Sequence, residues 1–490
     1  MPYQKKLLAA LIGAALASTA GAGQIVDGPM AFDPIPQSAE VLSADWEQPH
    51  LIPEGFVMFK VSDETDLNIY GTGDGRDPAD RTDMNTVNET GRQAGRFLYR
   101  THEVDECGAV SVVDLQSGAA KVIAQARNCV AASPAIGPQF PELTRGGDLD
   151  GILWTPWGTV LFAEEDPQGR LYELYLDKKD PSVAVEVKDR PAVGRIRHEG
   201  IEVGADGAVY VIDELNGGSI FRFVPVVYGD LSSGQLYALK LTGLTDAEQA
   251  YGIGHPHTGP FEWVALDPDL VHRDAKRAAD LVNATEYGRP EDVEAIGQVL
   301  YVAETSEDRV LAVDLNRQVV TAFVTAGDNA PAEGNPNFNN PDNLAQGPDG
   351  RLWIVEDATG SDIWVADKDL DNDGKADAVH LFAASPPWLT AGPRAPASVS
   401  ARIPTRCLST CSMRRKNSRT APGPSRIATR RAKRSASKAF AAHTAPPRGT
   451  APQGAALLPA SGLSASRPTY GAIRIRRPSK LAAPHAGVGA

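Results

Sequence analysis

Short runs in which apolar and polar residues alternate recur along the chain, separated by turns rich in Gly and Asp. Four segments line up: LDGILWTPWGTVLFAEED, HEGIEVGADGAVYVIDEL, PEDVEAIGQVLYVAETSEDRV and PDNLAQGPDGRLWIVEDATGSDI. Each opens with an acid beside a short apolar step and passes a Gly turn. A β-rich stretch follows, such as 208–212 or 351–355, and ends on acids. In three of the four a second alternating stretch comes next, at 219–224, 309–313 and 362–366. Alternation at period two, broken by Gly and Asp, predicts half-buried strands.

The leading acids are Asp150, Glu199, Glu291 and Asp342, separated by 49, 92 and 51 residues, and the long interval is close to two periods. One period before Asp150 falls Glu103, inside the strand-like RFLYRTHEV. Repeats of about 40–50 residues with several short strands each predict the blades of an all-β fold, a β-propeller. Residues 228–288 read as an insertion, with a helical middle at 266–282 rich in Asp, Ala, Arg and Lys.

The equivalent position of every blade points to one radius. Glu103, Asp150, Glu199, Glu291 and Asp342 are therefore expected to converge near the axis. A second tier of acids follows at Glu164 and Glu165, Asp213 and Glu214, Glu304, and Glu356 and Asp357. Carboxylates crowded in this way call for oxygen-ligand cations, calcium first. Repeated acids that merely cap turns are the plainer reading. Arg289 precedes Glu291 by two residues, so both face one way on a strand edge. Its guanidinium suits the oxygens of a phosphate group; a structural Arg–Glu pair is the alternative. A separate loop, Asp369, Asp371, Asp373, Gly374 and Asp377, follows D-x-D-x-D-G-x-x-D and predicts one bound calcium; His380 stands at position twelve, so this is not an EF-hand. The His102-Glu103 and His198-Glu199 pairs lack the second His of a zinc protease, and no phosphate-binding P-loop or nucleophile elbow is present.

Charge and composition set the compartment. The N-terminus has Lys5 and Lys6, an apolar stretch at 7–17 and a small-x-small site at 20–22. It reads as a secretory signal peptide of residues 1–22, which places the protein in the periplasm or outside the cell. In that oxidising setting Cys107 and Cys129, 22 residues apart, are expected to form a disulfide; a metal-bound Cys107 thiolate is the alternative. The net charge of −14 hides an asymmetry: the chain from Pro386 onward holds 19 Lys and Arg and no acid. The acidic body before it speaks against nucleic acid as a partner, and no later apolar run is long enough to span a membrane. Residues 393–490 read as a disordered basic tail, and re-reading plausible codons in a shifted frame gives an acidic, strand-like text instead. The tail is thus expected to be a frameshift product that replaces the last blade or so, leaving 23–392 as the propeller.

HEGIEVGADGAVYVIDELNGGSIFRFVP, GDLSSGQLYALKL, GRPEDVE and PDNLAQGPDGRLWIVED together resemble the PhoX-type alkaline phosphatases, over about residues 95–382. The resemblance implies a six-bladed propeller, incomplete here, and a calcium-dependent phosphomonoesterase with iron (Fe3+) beside calcium. It puts Glu199 and Glu291 at metal-ligand positions and Arg289 at a phosphate-binding position, with a small phosphate ester as substrate; the chain is expected to be a monomer. Three features depart from the family pattern: Ala163 stands where a cysteine is common, Thr101 where Asn is common, and the signal lacks a twin-arginine pair. A non-catalytic calcium-stabilised propeller and a calcium-dependent lactonase or esterase remain the competing readings.

Overall fold

The alternating segments form antiparallel four-stranded meanders. A computed structural model of the protein describes residues 32–38, 50–56 and 82–384, with breaks at 105–106, 128, 130–136, 144–146, 348 and 358–361, and isolated positions between 57 and 81. Residues 1–22, expected to be a signal peptide, and 393–490, expected to be a basic tail, lie outside the described residues.

The first blade is β1 (Thr82–Val87), β2 (Phe97–His102), β3 (Ala109–Asp114) and β4 (Ala119–Ala126), with a short β5 (Gln139–Phe140) parallel to β4. The second is β6 (Asp148–Trp154), β7 (Val160–Glu165), β8 (Leu171–Leu176) and β9 (Ala184–Asp189). The third is β10 (His198–Val203), β11 (Val209–Asp213), β13 (Ile220–Val227) and β14 (Asp230–Leu241), with β12 (Asn216–Gly218) in the turn between β11 and β13. β15 (Gly259–Ala265) then pairs with β14 and with β20, joining the third sheet to the fourth. Two short helices, Pro268–Val271 and Ala275–Leu281, and β16 (Tyr287–Gly288) precede the fourth blade, which is β17 (Pro290–Ile296), β18 (Val299–Glu304), β19 (Arg309–Asp314) and β20 (Val319–Thr325). The fifth is β21 (Pro341–Gln346), β22 (Leu352–Glu356), β23 (Ile363–Ala366) and β24 (Val379–Ala383). These are the blades of a β-propeller.

The stretch 228–288 is therefore not all insertion. Its first part, β14, is the outer strand of the third blade, and its irregular burial along twelve residues hides the alternation that a sequence reading relies on.

The first strands stand side by side in the order β1, β6, β10, β17, β21. Their neighbouring blades close apolar cores between them. Phe97, Tyr99 and Val112 of the first blade meet Ile152, Phe162 and Tyr172 of the second. Leu153, Leu161 and Leu171 of the second meet Ile201, Val211 and Phe221 of the third. Val310 and Phe323 of the fourth meet Leu352, Ile354 and Trp364 of the fifth. Among the described residues no comparable packing joins β21 to β1. The faces of the fifth and first blades outside these shared cores are met by the N-terminal segment: Phe32, Ile52 and Phe56 pack against Trp353, Val365 and Phe382, and Val61 against Val87, Leu98 and Val113. Leu51 and Ala384 exchange backbone hydrogen bonds at 2.9 and 3.0 Å, which ties this segment to the end of the fifth blade.

Each inner strand is broken at the same place. The register with the second strand shifts between Thr82 and Asn85, Leu149 and Ile152, His198 and Ile201, Pro290 and Val293, and Pro341 and Leu344. A β-bulge re-aims the side chain it carries. Inside these bulges the inner strands come too close for ordinary side chains. A Cβ on Gly151 would lie 1.8 Å from the Glu199 carbonyl oxygen, and one on Gly200 would lie 2.6 Å from Asp292 Cα. Gly151→Ala is expected to cost about 1–3 kcal/mol through overpacking against a neighbouring backbone. Chemical denaturation of the variant measures this, and an unchanged midpoint would show that the inner strands are not held at this spacing.

Candidate functional site

The bulges define which acids are equivalent. The residue that follows the last regular pair of each inner strand is Asp83, Asp150, Glu199, Glu291 and Asp342, and all five are buried. Carboxylate oxygens of Glu199, Glu291 and Asp342, from the third, fourth and fifth blades, lie within 4.8 Å of one another. Oxygens of Asp83, Asp150 and Glu165, from the first and second blades, form a second group at the same spacing. The inner strands are cross-tied around these groups. Thr101 Oγ1 donates to the Asp150 carbonyl at 2.5 Å, Thr305 Oγ1 to the Pro341 carbonyl at 2.8 Å, and the Leu344 N–H to Asp292 Oδ2 at 2.9 Å.

Glu103 is not the inner acid of the first blade; Asp83 is. Thr82 pairs with His102 as His198 pairs with Asp213, so Glu103 follows the second strand and corresponds to Glu214. The misplacement has a simple origin. Asp83 precedes Asp150 by 67 residues, because the first blade carries the long connection 127–147, and counting one ordinary period back lands near Glu103 instead. The signal that finds Asp83 is local: T-D-M-N has the same polar step as H-E-G-I, P-E-D-V and P-D-N-L.

The second tier splits by strand alternation. The first member of each pair turns into its own blade. Glu164 accepts from Tyr172 Oη at 2.7 Å and from Arg170 Nη1 at 3.1 Å. Glu304 is held by Arg309 and by the Gly288 N–H at 3.2 Å. Glu356 accepts from Trp364 Nε1 at 2.8 Å. Burial raises the carboxyl groups of Glu164 and Glu356 above the usual range despite these donors. Glu164, named from sequence as a metal residue, is thus placed with Tyr172 and Arg170 and not in either carboxylate group. The second member turns the other way, as Glu165 and Glu214 show. His102 and His198 are buried as well. His102 Nε2 lies 2.7 Å from Ser111 Oγ, and His198 Nε2 lies 3.2 Å from the Gly194 carbonyl, with burial pushing His198 down to about 3, so it is neutral.

Arg289 sits beside the first group. Its backbone is left-handed, with φ 49°, and its Nη2 lies 2.6 Å from both Glu291 Oε1 and Glu214 Oε1. Arg197, two residues before Glu199, is the same position one blade earlier, and sequence reading passed over it. Its Nε lies 3.2 Å from Glu214 Oε2, and its Nη2 pairs with Glu165. The acids around it hold the Arg197 guanidinium well above its ordinary range, so it stays charged.

Away from the axis, oxygens of Asp369, Asp371 and Asp377 come within 4.8 Å of one another. Asp369 also accepts from the backbone N–H of Asp373 at 3.1 Å and of Gly374 at 2.9 Å, which curls the loop around its own carboxylates. Asp373 instead accepts from the Lys375 N–H at 2.8 Å. Cys107 and Cys129 are joined by a disulfide. Ala163 is fully buried in the apolar core shared by the second and third blades.

Fold and site define a β-propeller whose inner strands bring acids from successive blades together beside two arginines. The family model for alkaline phosphatase PhoX matches residues 172–395, which supports placing the chain with the PhoX-type family that its repeats resemble. The match takes in Glu199, Arg289, Glu291, Asp342 and the 369–377 loop, and leaves out Asp83, Asp150 and Glu165. No curated protein matches the chain. Similar solved structures include virginiamycin B lyase from Staphylococcus aureus, at 15% identity over 65% of this chain and 70% of that one, TM-score 0.34. A gluconolactonase from Xanthomonas campestris shows 13% identity over 74% and 89%, TM-score 0.35. A calcium-binding regucalcin from Agrobacterium tumefaciens shows 13% identity over 61% and 74%, TM-score 0.31. These likenesses are too loose to bear on the chemistry. Among the described residues no helix is long and apolar enough to cross a membrane.

One more buried acid holds the backbone beside Arg197. Asp213 is fully buried and accepts from the Arg197 N–H at 3.0 Å; burial nevertheless pushes its carboxyl up to about 7. The folded state thus keeps a proton that the unfolded chain releases at lower pH. Stability falls as pH rises from the ordinary carboxylate range to about 7, and stays lower above it. Asp213→Asn removes that loss. Its thermal midpoint is expected to exceed that of the wild type by more at pH 8 than at pH 4. An equal difference at both pH values would show that Asp213 ionises as readily in the folded chain as in the unfolded one.

Proposed function

We propose that the protein is an exported, calcium-dependent phosphomonoesterase of PhoX type. The observation that carries this reading is the meeting of Glu199, Glu291 and Asp342 with Arg289 in contact with Glu291. Three buried carboxylates at this spacing repel one another, and an all-oxygen donor set suits calcium. The donor set does not extend to a thiolate, since Ala163 offers no ligand and lies in an apolar core. Iron, if used, must therefore rest on oxygen donors. Export is supported by the leader-like N-terminus and by the disulfide, which belongs to an oxidising compartment.

Glu199, Glu291 and Asp342 would hold the cation, whose charge would polarise a phosphoryl oxygen. Arg289 would hold a second phosphoryl oxygen and offset the charge that builds up as the ester bond breaks. Glu214 meets the same Nη2 of Arg289 that Glu291 meets, and would help hold the guanidinium in place. The small ester needs only the phosphoryl group to be recognised, and a monomer suffices.

Hydrolysis of p-nitrophenyl phosphate in calcium, lost in chelator, is the direct test. Arg289→Ala is expected to lower turnover roughly a hundredfold, the size of a lost transition-state contact of a few kcal/mol. No hydrolysis with calcium, with or without added iron, would favour the non-catalytic propeller, for which the apolar setting of Ala163 speaks. A lactone substrate cleaved in its place would favour the esterase reading.

The 369–377 loop is proposed as a separate, structural calcium site. Calorimetry should show one calcium fewer per chain for Asp371→Ala than for the wild type. Equal stoichiometry would remove the loop from the calcium sites.

A further inference from the structure

We propose that Arg197 is a second guanidinium of the phosphoryl-binding site, so that the phosphate is clamped between arginines from two adjacent blades. The inference rests on the phosphatase reading and narrows it to a site that grips a tetrahedral oxyanion from two sides.

Arg197 and Arg289 occupy one repeat position, two residues before Glu199 and Glu291. The same position holds Asp148 in the second blade and Asn340 in the fifth; Arg81 of the first lies outside the described residues. Both arginines are tied to a single carboxylate. Glu214 is 1% exposed and gives Oε1 to Arg289 at 2.6 Å and Oε2 to Arg197 at 3.2 Å. A buried acid between them fixes both guanidinium groups at once and screens their mutual repulsion.

Their other partners differ in kind. Arg289 meets Glu291 of the first carboxylate group, and Arg197 meets Glu165 of the second. The pair therefore stands between the two groups. When a cation draws on Glu291, or on Glu165, that carboxylate gives up part of its charge to the cation. The guanidinium then exchanges it for another oxyanion, while Glu214 keeps its hold. The arginine side chains are 34% and 24% exposed, so a small anion reaches them, whereas it does not reach Glu214. A phosphoryl group has oxygens enough to face a cation and two guanidinium groups together, and the fork of each arginine matches two of them. Glu214 is a positioning residue in this arrangement.

The test uses the full chain in calcium and inorganic phosphate as the probe. Calorimetry should show phosphate bound by the wild type and bound about tenfold or more weakly by Arg197→Gln, the loss expected for one charge-assisted contact. Arg197→Lys, which keeps the charge without the fork, should fall between the two. In steady-state hydrolysis of p-nitrophenyl phosphate the KM of Arg197→Gln and its inhibition constant for phosphate should rise by the same factor. Thermal unfolding of both variants establishes that they are folded, and the milder Arg197→Lys serves if Arg197→Gln is not. Phosphate affinity unchanged in the folded variants would overturn the clamp even with hydrolysis intact. Arg197-dependent phosphate binding without hydrolysis would uphold the clamp and overturn the phosphatase reading. A wild type that binds no phosphate would overturn the clamp.

Discussion

Crowded negative charge between the inner strands is the constraint on which the rest of the structure turns. Each of five bulged strands carries a buried acid at its bulge, and these acids, with Glu165, gather in two groups with oxygens inside 4.8 Å. Such charges are tolerated only where cations, guanidinium groups or protons answer them. The fold makes the crowding worse before anything relieves it. Gly151 and Gly200 let neighbouring backbones approach closely, and Thr101 and Thr305 bolt them together. The blades are held by apolar cores away from this region, so they can carry the strain of a charged centre without coming apart.

Strand alternation then sorts the second tier of acids into two jobs. Adjacent residues on a strand face opposite ways. Glu164, Asp213, Glu304 and Glu356 turn inward and are pinned by Tyr172, a backbone N–H, Arg309 and Trp364 respectively. Glu164, Glu304 and Glu356 tie the end of the second strand to the third, and Asp213 ties it to the residue before the first. Their neighbours Glu165 and Glu214 face the arginines. One dipeptide thus supplies an acid pinned within its own blade and an acid that faces an arginine. This is why a repeated acid pair at a strand end cannot be assigned a role from its presence alone.

The blade pattern was legible because each repeat announces itself twice, by its acid-led inner strand and by its Gly-turned second strand. The predicted stretch 309–313 falls within β19, and 219–224 overlaps β13 from Ile220 onward. The grouping of Glu199, Glu291 and Asp342 followed from the same register, and Arg289 from its place two residues before Glu291. What escaped was whatever depended on loop length or on a partner in another blade. The long connection 127–147 hides Asp83, because one ordinary period back from Asp150 falls near Glu103. β14 was hidden by its irregular burial. Arg197 was hidden because its meaning lies in Glu214 and Glu165, one in its own blade and one in the preceding blade.

A repeat fold spreads the same residue type evenly around its axis, and an even ring of acids attracts cations without preferring any reaction. Chemistry needs the repeat to be broken. Here it is broken at the position two residues before the inner acid, which among the described residues is Asp148, Arg197, Arg289 and Asn340 in the second to fifth blades. The two arginines place positive charge on one side of a negative centre. The broken repeat, more than the ring itself, gives the centre a direction, and Glu214 keeps that direction by holding both arginines on a carboxylate that solvent does not reach.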